Sequence, residues 1–436
     1  MAAPAAEHGR PAGPSLDLAR RRALARRRRK ARIRRNRLVA SLGCAGLGAA
    51  VFAVVGGGAS SGGRAAAPFA SLTAEVPAFV RVPGRPARLP WPARGEGAVA
   101  VLGTGLVAAS PRSSPVPIAS MTKMMTAYVV LADHPLAPGE QGPRLRMTGA
   151  DVAAYVRASQ SGESNVPVRA GEVLSEYQLL EALLVPSADN VADLLARWDA
   201  GSLGAFVRRM NATAHALGLR HTRYADASGV DPRSQSTAAD QALLAARLME
   251  SPVVRSIVSR PSARFPVAGT IWNYNPALGT DGIVGVKSGY TSAAQACLAV
   301  AAWRRVGTRT ALVVAVTTGQ PDGLAGAARV DRQLLDATVP RLRLFDPLRT
   351  TSVVGSVSLP GSSAAAPLRP TRPIVLVAWP GLVLRERLVP ASGTSAERSG
   401  PLGYLEVLAG GSVVGRAPLR AVAPAGGSLP GSSTPG

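Results

Sequence analysis

A chain of 436 residues can hold two domains with appendages. Its net charge of +24 invites a nucleic-acid reading, but aromatic residues make up only 4%, too few for base-stacking platforms, and the charge is concentrated at one end. Two cysteines, Cys44 and Cys297, exclude a disulfide scaffold, and the spacing of His8, His134, His215 and His221 matches no zinc motif.

Residues 1–37 form a basic tail, with thirteen Arg or Lys against Glu7 and Asp17. Residues 38–59 follow without a charge for 22 positions, long enough for a transmembrane anchor. Arginines on its N-terminal side place that flank in the cytoplasm and the rest of the chain outside, in a single-pass arrangement. The tail then reads as a topogenic cluster that also meets anionic lipid head groups, not as a nucleic-acid site. A signal peptide trimmed near Ala65-Ala66-Ala67 is the competing reading, although its charged region would be unusually long.

Residues 60–96, rich in Gly, Ala, Pro and Ser, read as a linker. A domain is expected over 97–345. It opens with a hairpin, Ala98–Gly103 and Gly105–Ser110, around Thr104. A buried helix should start at Ser120 and run to Pro135. Residues 171–200 predict two helices, with Ser175 as an N-cap, and 202–218 and 237–250 two more. Ile283–Val286 and Ala296–Ala302 read as strands either side of a turn at Lys287, followed by a strand at Ala311–Thr317 and a helix at Ala327–Ala337. Short alternating segments over 350–422 predict a separate β-rich domain. Residues 423–436 read as a disordered tail.

Lysine is the informative residue. There are three, Lys30, Lys123 and Lys287, in a chain that otherwise uses arginine. Arginine cannot surrender its proton at workable pH, whereas a desolvated lysine can. Ser120-Met-Thr-Lys123 puts hydroxyl and amine on one helical face. Packing against Met124, Met125, Val129 and Val130 would favour a neutral amine able to take the serine proton. Lys287-Ser288-Gly289 follows an apolar strand and offers a charge for a substrate carboxylate, a hydroxyl, and room for close backbone approach. Between them lies Ser187-Ala188-Asp189-Asn190, where Ser187 is either a relay hydroxyl or simply an N-cap.

The order S-x-x-K, serine triplet, K-S-G resembles the penicillin-recognising serine D,D-peptidases and serine β-lactamases. The stretches around Pro117–Thr126, Val173–Leu195, Met210–Leu219, Asn273–Pro276 and Gly285–Thr291 are similar to the D-alanyl-D-alanine carboxypeptidase family (peptidase S11, low-molecular-mass penicillin-binding proteins). The resemblance covers about Gly97 to Val339, and 350–420 is more loosely similar to a β-rich C-terminal domain many members carry. It implies an α/β fold, an antiparallel sheet flanked by helices plus a helical lobe. It implies Ser120 as acylated nucleophile, Lys123 as general base and Ser187 as proton relay. Lys287 and Ser288 would hold the substrate carboxylate. The backbone N–H groups of Ser120 and Tyr290 would form the oxyanion hole, with Gly289 between Ser288 and Tyr290. No metal or cofactor is implied. The partners would be the peptidoglycan stem peptide and β-lactams acting as covalent inhibitors. A serine β-lactamase, or a non-catalytic wall-binding protein of the same fold, is the alternative. Three departures stand out. Asp189 occupies a position that is usually asparagine, with Asn190 one residue later, and both are candidate substrate-binding residues. Ser288 replaces threonine. The arginine that often helps bind the terminal carboxylate shortly after the strand near Val316 is missing, leaving Arg329 as a weak candidate for that role.

Overall fold

The computed structural model describes residues 71–422 except 78, 87, 349, 359–364 and 392–400. The expected basic tail, anchor and terminal tail lie outside these residues. No helix among the described residues is long and apolar enough to cross a membrane.

The described residues begin with two short strands, β1 (Ser71–Ala74) and β2 (Phe79–Arg81), then a hairpin, β3 (Glu96–Val101) and β4 (Gly105–Ala109). A 3-10 turn, Ala119–Met121, leads into α1 (Thr122–Asp133). The helical lobe follows: α2 (Gly149–Gln160), α3 (Glu176–Leu184), α4 (Asp189–Ala200), α5 (Leu203–Ala216), α6 (Ala238–Leu248) and α7 (Pro252–Val258). Three long strands return, β5 (Ile283–Thr291), β6 (Gln295–Val306) and β7 (Arg309–Gln320), then α8 (Gly323–Thr338). The C-terminal strands are β8 (Gly355–Ser358), β9 (Ala365–Pro370), β10 (Val383–Pro390), β11 (Gly403–Ala409) and β12 (Ser412–Ala421).

The central sheet is antiparallel, in the order β5-β6-β7-β3-β4. Side chains alternate between its faces. Ala98, Ala100, Ala299, Val314 and Val316 join the core of the helical lobe. Val99, Val101, Val300, Val313 and Ala315 join a second core shared with α8 and the C-terminal strands. Because both faces are covered, β3 is buried along its whole length and is apolar from Gly97 to Val101. The sheet leaves β5, which carries Lys287, as an edge, and its outer side packs against the Ala119–Met121 turn.

Two expectations change. Lys287 does not sit at a turn: β5 continues through it to Thr291, and the reversal falls at Ser292–Ala294. The polar and glycine residues of Lys-Ser-Gly-Tyr read as a strand end, yet their ladder with β6 is continuous from Val286 to Thr291. The second change concerns the linker. Within 60–96, β1 and β2 are strands, and they form both edges of the seven-stranded C-terminal sheet, β1-β8-β9-β12-β11-β10-β2. Three- and four-residue strands between prolines carry too little periodicity to be seen alone; they exist because β8 and β10 offer unpaired backbone groups.

Helix starts follow local chemistry. Ser175 caps α3 in a reciprocal capping box with Gln178, and Thr148 does the same for α2 with Asp151. Glu176, the first residue of α3, is fully buried, and neither carboxylate oxygen has a hydrogen-bond partner among the described residues. Burial pushes this carboxyl up to about 7, with His134 opposing. A carboxyl raised on folding costs stability as pH climbs from the ordinary carboxylate range through 7. Glu176→Gln is therefore expected to melt above the parent chain at pH 8, with the gap closing near pH 4. An equal gap at both pH values in thermal melts would contradict this.

Candidate active site

Ser120 sits in the 3-10 turn before α1, in a backbone that two glycines make possible. Ala119 takes φ +47°, and a Cβ on Gly229 would lie 1.8 Å from the Ala119 carbonyl oxygen. From the other side, a Cβ on Gly289 would lie 2.9 Å from Ser120 N and 3.1 Å from Met121 N. The edge strand and the 226–234 loop thus close on the serine turn only because neither has a side chain there. Glu96 secures the approach to this turn, accepting hydrogen bonds from Ser113 Oγ (2.9 Å), Ser114 N (2.7 Å) and Ala238 N (3.1 Å).

Lys123, one helical turn on, is wholly buried. Its Nζ donates to Ser120 Oγ (2.9 Å), Asp189 Oδ1 (2.5 Å) and the Ser228 carbonyl (2.8 Å). The predicted serine–lysine pair is therefore in direct contact. Asp189, at the start of α4, is also buried; burial pushes its carboxyl up, and the Lys123 amine beside it pulls it back.

Lys287 is buried on β5 and donates to the Ser288 carbonyl at 2.7 Å. Burial pushes its amine well below the usual lysine range, the Lys123 charge adds to this, and Asp189 opposes it. The two scarce lysines are close enough to feel one another. Ser288 is buried next to Lys287, whereas the Tyr290 side chain is exposed.

The N-cap reading of Ser187 is excluded. Ala188 is the N-cap of α4, and the Ser187 hydroxyl caps nothing. Ser187 takes φ +65°, is buried, and its Oγ has no hydrogen-bond partner among the described residues.

Asn190 does not join the site. Its side chain accepts from Val166 N (3.1 Å) and donates to Val166 O (2.9 Å), which ties the loop before α3 to α4. Arg329 is exposed, and its nearest charged partner is Asp322 at 3.7 Å. Among the described residues, no cluster of metal-ligating side chains is found.

Asp226 escaped the sequence reading. Its Oδ2 accepts from Ser228 Oγ, Gly229 N, Val230 N and Asp231 N, and its Oδ1 accepts from Ser234 Oγ. This knot presents the Ser228 carbonyl to Lys123 and Gly229 to Ala119. The Asp-x-Ser-Gly order is the signal that could have found it, as a turn signature.

The sequence profile of the D-alanyl-D-alanine carboxypeptidase family (Peptidase_S11) matches residues 102–318. D-alanyl-D-alanine carboxypeptidase DacB2 of Mycobacterium tuberculosis is 33% identical over 210 residues, covering 47% of this chain and 67% of that protein. The chain belongs to this family. A D-alanyl-D-alanine endopeptidase of Pseudomonas aeruginosa is 36% identical over 146 residues, 34% of this chain and 44% of the relative, so the chain spans less than half of that relative's length. The fold is shared with the Streptomyces K15 DD-transpeptidase (TM-score 0.51, 24% identity, 57% of this chain and 98% of that one). It is also shared with penicillin-binding protein 6B of Escherichia coli (TM-score 0.55, 22% identity, 78% and 98%).

Asn190→Ala should leave the Val166 backbone pair unsatisfied and cost about 2 kcal/mol in denaturant unfolding. A change near zero would show that water replaces the amide without loss.

Proposed function

We propose that this chain is a serine D-alanyl-D-alanine carboxypeptidase that removes the terminal D-alanine from peptidoglycan stem peptides. The single supporting observation of most weight is Lys123 Nζ at 2.9 Å from Ser120 Oγ, in a buried site that Lys287 also enters. Family membership supports the same reading.

Ser120 Oγ attacks the carbonyl carbon of the D-Ala-D-Ala bond while the neutral Lys123 amine takes the hydroxyl proton. The tetrahedral oxyanion is received by the backbone N–H groups of Ser120 and Tyr290. Collapse breaks the C–N bond, and the leaving D-alanine amine takes a proton relayed through Ser187 Oγ. Water then attacks the acyl-serine, with Lys123 again as base, and frees the shortened peptide. Lys287 and Ser288 hold the terminal carboxylate. A desolvated amine gains a counter-charge when that carboxylate arrives, which makes Lys287 selective for an anionic chain end.

Residues 38–59, uncharged for 22 positions behind the arginine run, support a membrane anchor with the catalytic domain on the cell-wall side.

Release of D-alanine from a peptide ending in D-Ala-D-Ala tests the activity. The parent chain should release it, Ser120→Ala should abolish release, and Lys123→Arg should slow it by about 10²–10⁴-fold. Unchanged release from Ser120→Ala would remove the assignment.

A further inference from the structure

Asp189 is the residue where this chain departs from the resemblance inside the site itself. A carboxylate stands where the related sequences usually present an amide, and the neighbouring amide of Asn190 is spent on Val166. Asp189 Oδ1 lies 2.5 Å from Lys123 Nζ, and both side chains are buried. A lysine ammonium has three N–H donors. Here three acceptors meet Nζ: Ser120 Oγ, Asp189 Oδ1 and the Ser228 carbonyl. Two of these can only accept from the amine while Asp189 is ionised. Ser120 alone can reverse direction, its O–H donating to a neutral Nζ, and that reversal is the step base catalysis needs.

Resting on the proposed acyl-serine chemistry, we propose that Asp189 is a positioning residue that holds the proton on Lys123, so that Ser120 becomes reactive only at higher pH than an amide at position 189 would allow. An amide carries no charge to stabilise an ammonium; a carboxylate in contact with it in a desolvated site does. The other charged groups facing Lys123 do not reproduce this contact. Lys287 on β5 is cationic when protonated and works against a second positive charge. Glu163, after α2, and Asp193, on α4 with Arg197 nearby, interact with Lys123 only through space, and burial pushes both carboxyls up. Asp226 is occupied by its five loop donors. Asp189 is the one carboxylate among them that hydrogen-bonds the amine.

The scarcity of lysine makes the test direct. In the full-length chain labelled with [13Cε]lysine, only Lys30, Lys123 and Lys287 give side-chain signals, and Lys123→Arg assigns one by its loss. The Lys123 signal is titrated in the parent chain and in Asp189→Asn, with Asp189→Ser as a second variant in case the first fails to fold. Acylation by a fluorescent penicillin is followed over the same pH range. The midpoint for Lys123 should fall by roughly one to three pH units on removing the charge, and the acid limb of the acylation profile should move down with it, so that Asp189→Asn acylates faster than the parent at neutral pH. A midpoint and limb that stay in place, or move up, overturn the proposal. Absence of acylation in the parent chain at every pH would instead remove the acyl-serine reading, while the lysine titration would still decide whether Asp189 holds the proton.

Discussion

One buried amine organises the site. Lys123 draws its three contacts from three separate parts of the chain: the serine turn, the start of α4 and the 226–234 loop. A buried cationic side chain without partners would cost several kcal/mol. The folded lobe is therefore committed to bringing these acceptors together, and in doing so it sets the position of Ser120. Ser120 is placed because the Lys123 amine must be satisfied.

The second constraint is steric and comes from the sheet. β5 is an edge strand whose outer side is occupied by the serine turn, and Gly289 allows backbone to meet backbone there. The same strand carries Lys287 and Ser288, both buried. Helical lobe and sheet thus contribute unlike groups: two hydroxyls and a buried amine from the lobe, a second buried amine from the strand. Both elements rest on cores that cover the two faces of the central sheet, so these side chains stand on packed supports.

Much of this was legible without coordinates. The rarity of lysine singled out Lys123 and Lys287, and the three-residue spacing put Ser120 and Lys123 in contact. The apolar runs located most of the lobe helices and the central strands. What stayed hidden was non-local. The strands β1 and β2 owe their existence to partners nearly three hundred residues away, as in Leu72 opposite Val357. Asn190 looked available because its position beside Asp189 says nothing of Val166. Asp226 went unnoticed because its five donors come from its own turn and its purpose lies in what that turn presents. Ser187 could be separated from a helix cap only by seeing that Ala188 holds the capping position.

The central claim is that Ser120 is the acylated residue of a penicillin-recognising cleft. Incubation of the purified chain with benzylpenicillin, followed by intact-mass measurement and fragmentation of the modified peptide, tests it most directly. One penicilloyl group per chain, located on Ser120, is the expected result. An unmodified chain, or a modification located on any other residue, would contradict the account.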